Sequence, residues 1–126
     1  MRKVVMMMAL ICIVLGNLYD DSPMEKVLRA SRETAPRRHQ AYEFYSEQAY
    51  EAYRNDRWND VINNVNNALN TGIHNDSLYF FRGVAYESLG HFKYAKKDYK
   101  MAIKNGVYEA NTALVRVKQK MKAKRK

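Results

Sequence analysis

An all-α fold, a short stack of helical hairpins, is what this 126-residue sequence predicts, and three observations predict it. The chain resembles itself at a spacing of 34 residues. Its apolar residues recur at i, i+3, i+4 and i+7, the spacing that places one stripe along a helix. Gly (5) and Pro (2) are scarce, which argues against a β chain with many tight turns and against low-complexity disorder.

Residues 1–16 read as a signal peptide. Arg2 and Lys3 form a basic start, Val4 to Leu15 is an uncharged apolar run, and Val14-Leu15-Gly16 supplies modest side chains for cleavage. Twelve apolar residues fall short of the about 20 that cross a bilayer, although Gly16, Asn17 and Leu18 extend the run if it serves as an uncleaved anchor. The expected location is therefore periplasmic or secreted after cleavage near Gly16, or membrane-anchored without it. Cys12 is the single cysteine, so no internal disulfide and no cysteine-based zinc cluster can form. Ile11 precedes Cys12 where a lipoprotein signal wants a small residue.

Residues 17–40 read as a linker with one short helix. Ser22-Pro23-Met24-Glu25 has the order of a helix start: a Ser cap, Pro at the first helical position and Glu three residues after the cap. Met24, Val27 and Leu28 form a modest stripe. Pro36 disfavours a helical conformation at Ala35, so a break and a joint are expected there.

Residues 42–75 and 76–109 are the two copies of the repeat. Tyr45 meets Tyr79, Ala49 meets Gly83, Trp58 meets Phe92, and Val65 meets Tyr99. Val61 meets Ala95, Ala68 meets Ala102, Leu69 meets Ile103, and Gly72 meets Gly106. Each copy reads as two antiparallel helices. Small residues let the helices approach, and large ones fill the space beside them. Asn55-Asp56-Arg57 and Leu89-Gly90 make the inner turns, and Gly72 and Gly106 close the copies. Residues 110–126 read as one more helix, with Ala113 or Leu114, Val117 and Met121 on one face, ending in a basic tail.

These residues resemble the tetratricopeptide repeat family, whose unit is 34 residues long. Asp76–Glu109 carries the closer match: Tyr79 where the family usually has Trp, Arg82-Gly83 for Leu-Gly, then Tyr86, Ala95, Tyr99 and Ala102. Ile73 and Val107 stand where the family usually has Pro. The resemblance covers about half of the chain, residues 41–109. It implies a short α-solenoid of two hairpins with residues 110–126 as the capping helix, and a non-catalytic scaffold or adaptor that binds a peptide segment or partner protein in a concave face. Carried over by position, that face comprises Glu47, Tyr50, Tyr53, Arg54, Phe80, Phe81, Val84 and Glu87, beside Glu43, Ser46, Ser77 and Ser88. Ser46, Tyr50, Phe80 and Phe81 replace the Lys, Asn and Arg with which some members clamp a peptide carboxylate.

The net charge is +9, from 22 basic and 13 acidic residues. Arg2 and Lys3 supply two of the positive charges, and Arg116, Lys118, Lys120, Lys122, Lys124, Arg125 and Lys126 supply seven. The body between is balanced, so this is not a uniformly basic nucleic-acid domain. The tail is a solvated end, a contact for anionic membrane surface or, least in keeping with export, a nucleic-acid contact. The alternative function is accordingly a membrane-surface protein using its N-terminal apolar segment and basic tail. Self-association is a third reading, since stacks usually need at least three repeats.

No chemistry-bearing motif competes with these readings. His39, His74 and His91 have no partner at metal-ligand spacing, so no metal is expected. No Gly-rich phosphate loop and no local Ser-His-Asp signature occurs, so no cofactor and no catalytic residue is expected. Glu43, Glu47 and Glu51 recur at i, i+4 and i+8, as on a solvated helix face.

Overall fold

The structure is a computed structural model that describes residues 22–125. The signal segment expected at residues 1–16, the start of the linker and Lys126 lie outside the described residues. Every element among the described residues is helical: α1 (Pro23–Arg54), α2 (Trp58–Asn70), α3 (Asp76–Ser88), α4 (Phe92–Lys104) and α5 (Ala110–Lys124).

Residues to Arg37 belong to one unit and Arg38–Lys126 to a second. In the first, Ser22 caps the helix as its sequence predicts, accepting a hydrogen bond from the Glu25 amide at 3.1 Å. Met24, Val27 and Leu28 are exposed. The break expected at Pro36 does not occur. Pro36 lies inside one continuous α1, so the linker contains no separate short helix. Proline removes an amide donor and crowds the preceding turn. Here residues 26–40 are all exposed, so water can solvate the carbonyl that loses its partner.

The second unit shows the 34-residue spacing in its backbone. Helices α2 and α4 are both 13 residues long and start 34 residues apart, at Trp58 and Phe92. The turns before them match. Arg57 donates its amide to the Ala52 carbonyl at 2.9 Å, and His91 donates to Tyr86 at 2.8 Å. At the next corner Gly72 donates to Leu69, and Gly106 to Ile103, each at 3.0 Å.

Two apolar clusters make the core. Ala49 and Ala52 of α1, Val61, Val65 and Ala68 of α2, and Leu78 and Ala85 of α3 form the first. Ala95, Tyr99 and Ala102 of α4 with Ala110, Ala113 and Val117 of α5 form the second. Helix α3 serves both, because Phe81 packs on the first cluster while Tyr79, Phe80, Val84 and Tyr86 pack on the second. The small residues sit where close approach demands them. A Cβ on Gly83 would lie 2.8 Å from the Tyr99 ring, inside contact distance, so glycine is what lets that ring pack against α3.

Asp56 and Gly90 occupy the same place in the two copies, and both have left-handed backbones, with φ of 56° and 81°. A side chain in this conformation costs about 1–2 kcal/mol, less for Asp than for most residues. Asp56→Gly should therefore stabilise the protein by about 1 kcal/mol, raising its thermal midpoint by roughly 4–8 °C. A lowered midpoint in a thermal melt would show that the Asp56 side chain does more than occupy the turn.

Candidate functional site

The residues expected to face a ligand come from the second half of α1 and from α3. Helical spacing brings Tyr50, Tyr53 and Arg54 to one side of α1, and Phe80, Phe81 and Val84 to neighbouring positions on α3. The structure assembles four of them into an aromatic row. The Tyr53 and Phe81 ring centroids are 4.6 Å apart, Tyr50 and Phe81 6.0 Å, and Phe80 and Phe81 6.3 Å. Phe80 continues the row to Tyr99 at 5.9 Å. The Arg54 guanidinium lies 5.9 Å from the Tyr50 centroid. Tyr50 is 49% exposed, Glu47 is exposed, and Tyr53, Phe80, Phe81 and Val84 are half-buried. Ser46 hides its hydroxyl without a hydrogen-bond partner.

Glu87 departs from the expectation that it offers its carboxylate to a partner. It is 7% exposed and fully engaged inside the fold. The Tyr99 hydroxyl donates to its Oε1 at 2.8 Å. Arg116 donates from Nη2 to Oε1 at 2.7 Å and from Nε to Oε2 at 2.8 Å. Lys120 Nζ donates to Oε2 at 2.9 Å. Burial alone pushes this carboxyl up, but the hydrogen bonds from Arg116, Lys120 and Tyr99 outweigh it and hold the group at about 2. Reciprocally, burial and then the Glu87 bond push the Tyr99 phenol up, and the bond to Glu87 raises Arg116.

The same contacts revise the picture of the basic tail. It is helical through Lys124, and Arg116 and Lys120 are bound to Glu87 rather than freely solvated. Lys118, Lys122 and Lys124 are exposed. The ammonium groups of Lys120 and Lys124 also lie 5.9 and 5.7 Å from the Phe92 ring centroid.

A second polar clamp was not foreseen. Arg82 donates from Nε and Nη2 to the two oxygens of Asp98, each at 2.8 Å, and from Nη1 to Asn66 Oδ1 at 2.7 Å. Its guanidinium stands between the Tyr79 and Tyr86 rings, 5.6 and 6.0 Å from their centroids. The hydrogen bond to Asp98 raises the Arg82 pKa against the opposing effect of burial. Asp98 is 4% exposed, so this pair joins α2, α3 and α4 from within. The three histidines are dispersed: His39 pairs with Glu43 at 3.1 Å, His74 Nδ1 shares a hydrogen bond with the Tyr79 hydroxyl at 3.2 Å, and His91 packs beside Tyr86 and Tyr94.

The Glu87 site makes stability acid-dependent with a definite sign. Its carboxyl is lowered from 4.5 to about 2 on folding, so its contribution is present above the unfolded value and is lost as pH falls toward the folded one. The stability gap between wild type and Glu87→Gln should therefore shrink by on the order of 3 kcal/mol between about pH 5 and about pH 2. Denaturant titrations across that range measure it, and a gap independent of pH would contradict the assignment.

Comparison with known proteins gives no match: no family model, no curated protein and no solved structure.

Proposed function

We propose that this chain is a non-catalytic, exported scaffold of the tetratricopeptide type, which holds a segment of a partner protein against the aromatic row of α1 and α3. The observation that carries this reading is Tyr50. It is half-exposed at the end of a row of packed rings, with the Arg54 guanidinium above it. Arg54 also reaches Glu51 at 3.7 Å, which holds the guanidinium beside the exposed Tyr50 ring. Tyr and Arg anchored beside a packed apolar floor are the residue types that dominate binding hot spots.

The row also has the right composition for a peptide. Phe81, Tyr53 and Phe80 supply a floor that is already immobilised by packing, so little ordering entropy is lost when a ligand docks. Tyr50 and Arg54 supply the exposed rim, and exposed Glu47, one turn from Tyr50, adds a carboxylate for a basic neighbour on the ligand. Glu87 has no part in this contact, because its oxygens are spent on Tyr99, Arg116 and Lys120. The 34-residue backbone repeat supports the family reading, since it gives each copy an equivalent first helix on which to carry the row.

Affinity capture from an envelope extract tests the proposal, with the full chain as bait beside a Tyr50→Glu, Arg54→Glu version. These two side chains are exposed enough to change without opening the core. A partner protein should be retained by wild type and bound at least 30-fold more weakly by the variant, the scale of a hot-spot loss of about 2 kcal/mol. Equal retention of every captured protein by both baits would remove the row as the binding site.

A further inference from the structure

The sequence places the basic character of the chain in its C-terminal tail, but the structure sets its most regular basic face elsewhere. Helix α4 carries Lys93, Lys97, Lys100 and Lys104 at i, i+4, i+7 and i+11, and that spacing puts all four on one stripe. The opposite side of α4 is the one buried, through Ala95, Asp98, Tyr99 and Ala102. All four lysines are exposed. Among the described residues none of them takes part in an ion pair. The acidic residue on the same helix, Asp98, is buried against Arg82, so it does not offset the stripe.

Apolar groups border these lysines. Tyr94 and Met101, seven residues apart, lie along one edge of the stripe and are 60% and 37% exposed. At the start of α4 the stripe runs into a shallow pocket of about 350 Å³. Phe92, Tyr94 and Met121 form its apolar wall, Lys93, Lys124 and Arg125 are its cationic groups, and no carboxylate side chain lines it among the described residues.

We propose that this face of α4 docks on the surface of a bilayer containing anionic phospholipid. The lysines meet the headgroup phosphates, Tyr94 and Met101 enter the boundary between headgroups and acyl chains, and the pocket receives one anionic headgroup. Charge complementarity selects a polyanion, and the form of the face selects a lipid one. The stripe is made of lysines alone, compact charges that need no directional partner, whereas bidentate phosphate and base recognition favours arginine. The apolar edge has a place to go in a bilayer interface. An export segment at residues 1–16 would also bring the chain to a membrane. The aromatic row on α1 and α3 involves none of these residues, so this inference stands or falls separately from the peptide-binding reading.

Flotation of the full chain with vesicles tests it, using pure phosphatidylcholine and phosphatidylcholine mixed with phosphatidylglycerol. The variants are K93Q/K97Q/K100Q/K104Q and, for the tail, K118Q/K122Q. Each lysine near an anionic surface contributes roughly 5-fold in partitioning, so the α4 variant should lose on the order of 500-fold in binding to the mixed vesicles. The tail variant should lose far less, the binding should weaken with added salt, and circular dichroism should be unchanged. Four outcomes would overturn the proposal: unaltered binding by the α4 variant, a greater loss from the tail variant, equal binding to both vesicle types, or tight binding of a single-stranded oligonucleotide with none to vesicles.

Discussion

A buried carboxylate ties α3 to the two helices that follow it. Glu87 projects from α3 into a space closed by Tyr99 of α4 and by Arg116 and Lys120 of α5. A buried carboxylate is costly unless it is paired and hydrogen-bonded. Glu87 meets that condition only when α4 and α5 are both in place. The constraint acts on the geometry of the helices more than on net stability, since a buried ion pair often gains little over an apolar substitute. Losing the cations is different, because it strands the Glu87 charge, whereas Arg116 and Lys120 are themselves half-exposed. Arg82 repeats the logic on the other side of α3, where Asp98 and Asn66 hold it between α4 and α2. Helix α3 is thus apolar toward both clusters, and its Arg82 and Glu87 are each held by neighbouring helices.

The two copies of the repeat solve the same packing problem with different volumes. In the first copy Ala49 faces α2, where Val65 is buried. In the second, a glycine and a tyrosine stand at the corresponding places, with the Tyr99 ring occupying the space a Gly83 methyl would need. That exchange carries the phenol to Glu87. The first copy, with a valine there, has no equivalent bond. The second copy is also the one that anchors α5, and with it the charged end of the chain.

Local pattern made most of the architecture legible in the sequence. The cap at Ser22, the bounds of α2 and α4, and the corners at Gly72, Gly90 and Gly106 all follow from short-range rules. Pro36 was misread because the rule for the residue before proline is a bias, and an exposed helix can absorb the lost hydrogen bond. Glu87 was misread for another reason. A helical position alone assigns it to a ligand-facing side, and its partners lie 12, 29 and 33 residues further along the chain, beyond the reach of any i, i+4 argument. The Arg82–Asp98 pair, separated by 16 residues, escaped on the same ground. The aromatic row was easier to find, because Tyr50, Tyr53, Phe80 and Phe81 are each conspicuous on their own helix and the repeat brings the helices into register.

The central claim is that α5 is locked to the rest of its unit through Glu87, and native-state hydrogen exchange tests it most directly. In a Glu87→Gln protein at neutral pH, the amides of α5 should exchange on the order of 100-fold faster than in wild type, the scale of a few kcal/mol of local opening. The amides of α2 should keep their protection. A uniform loss across α2, α3, α4 and α5, or no change in α5, would show that apolar packing alone holds the last helix.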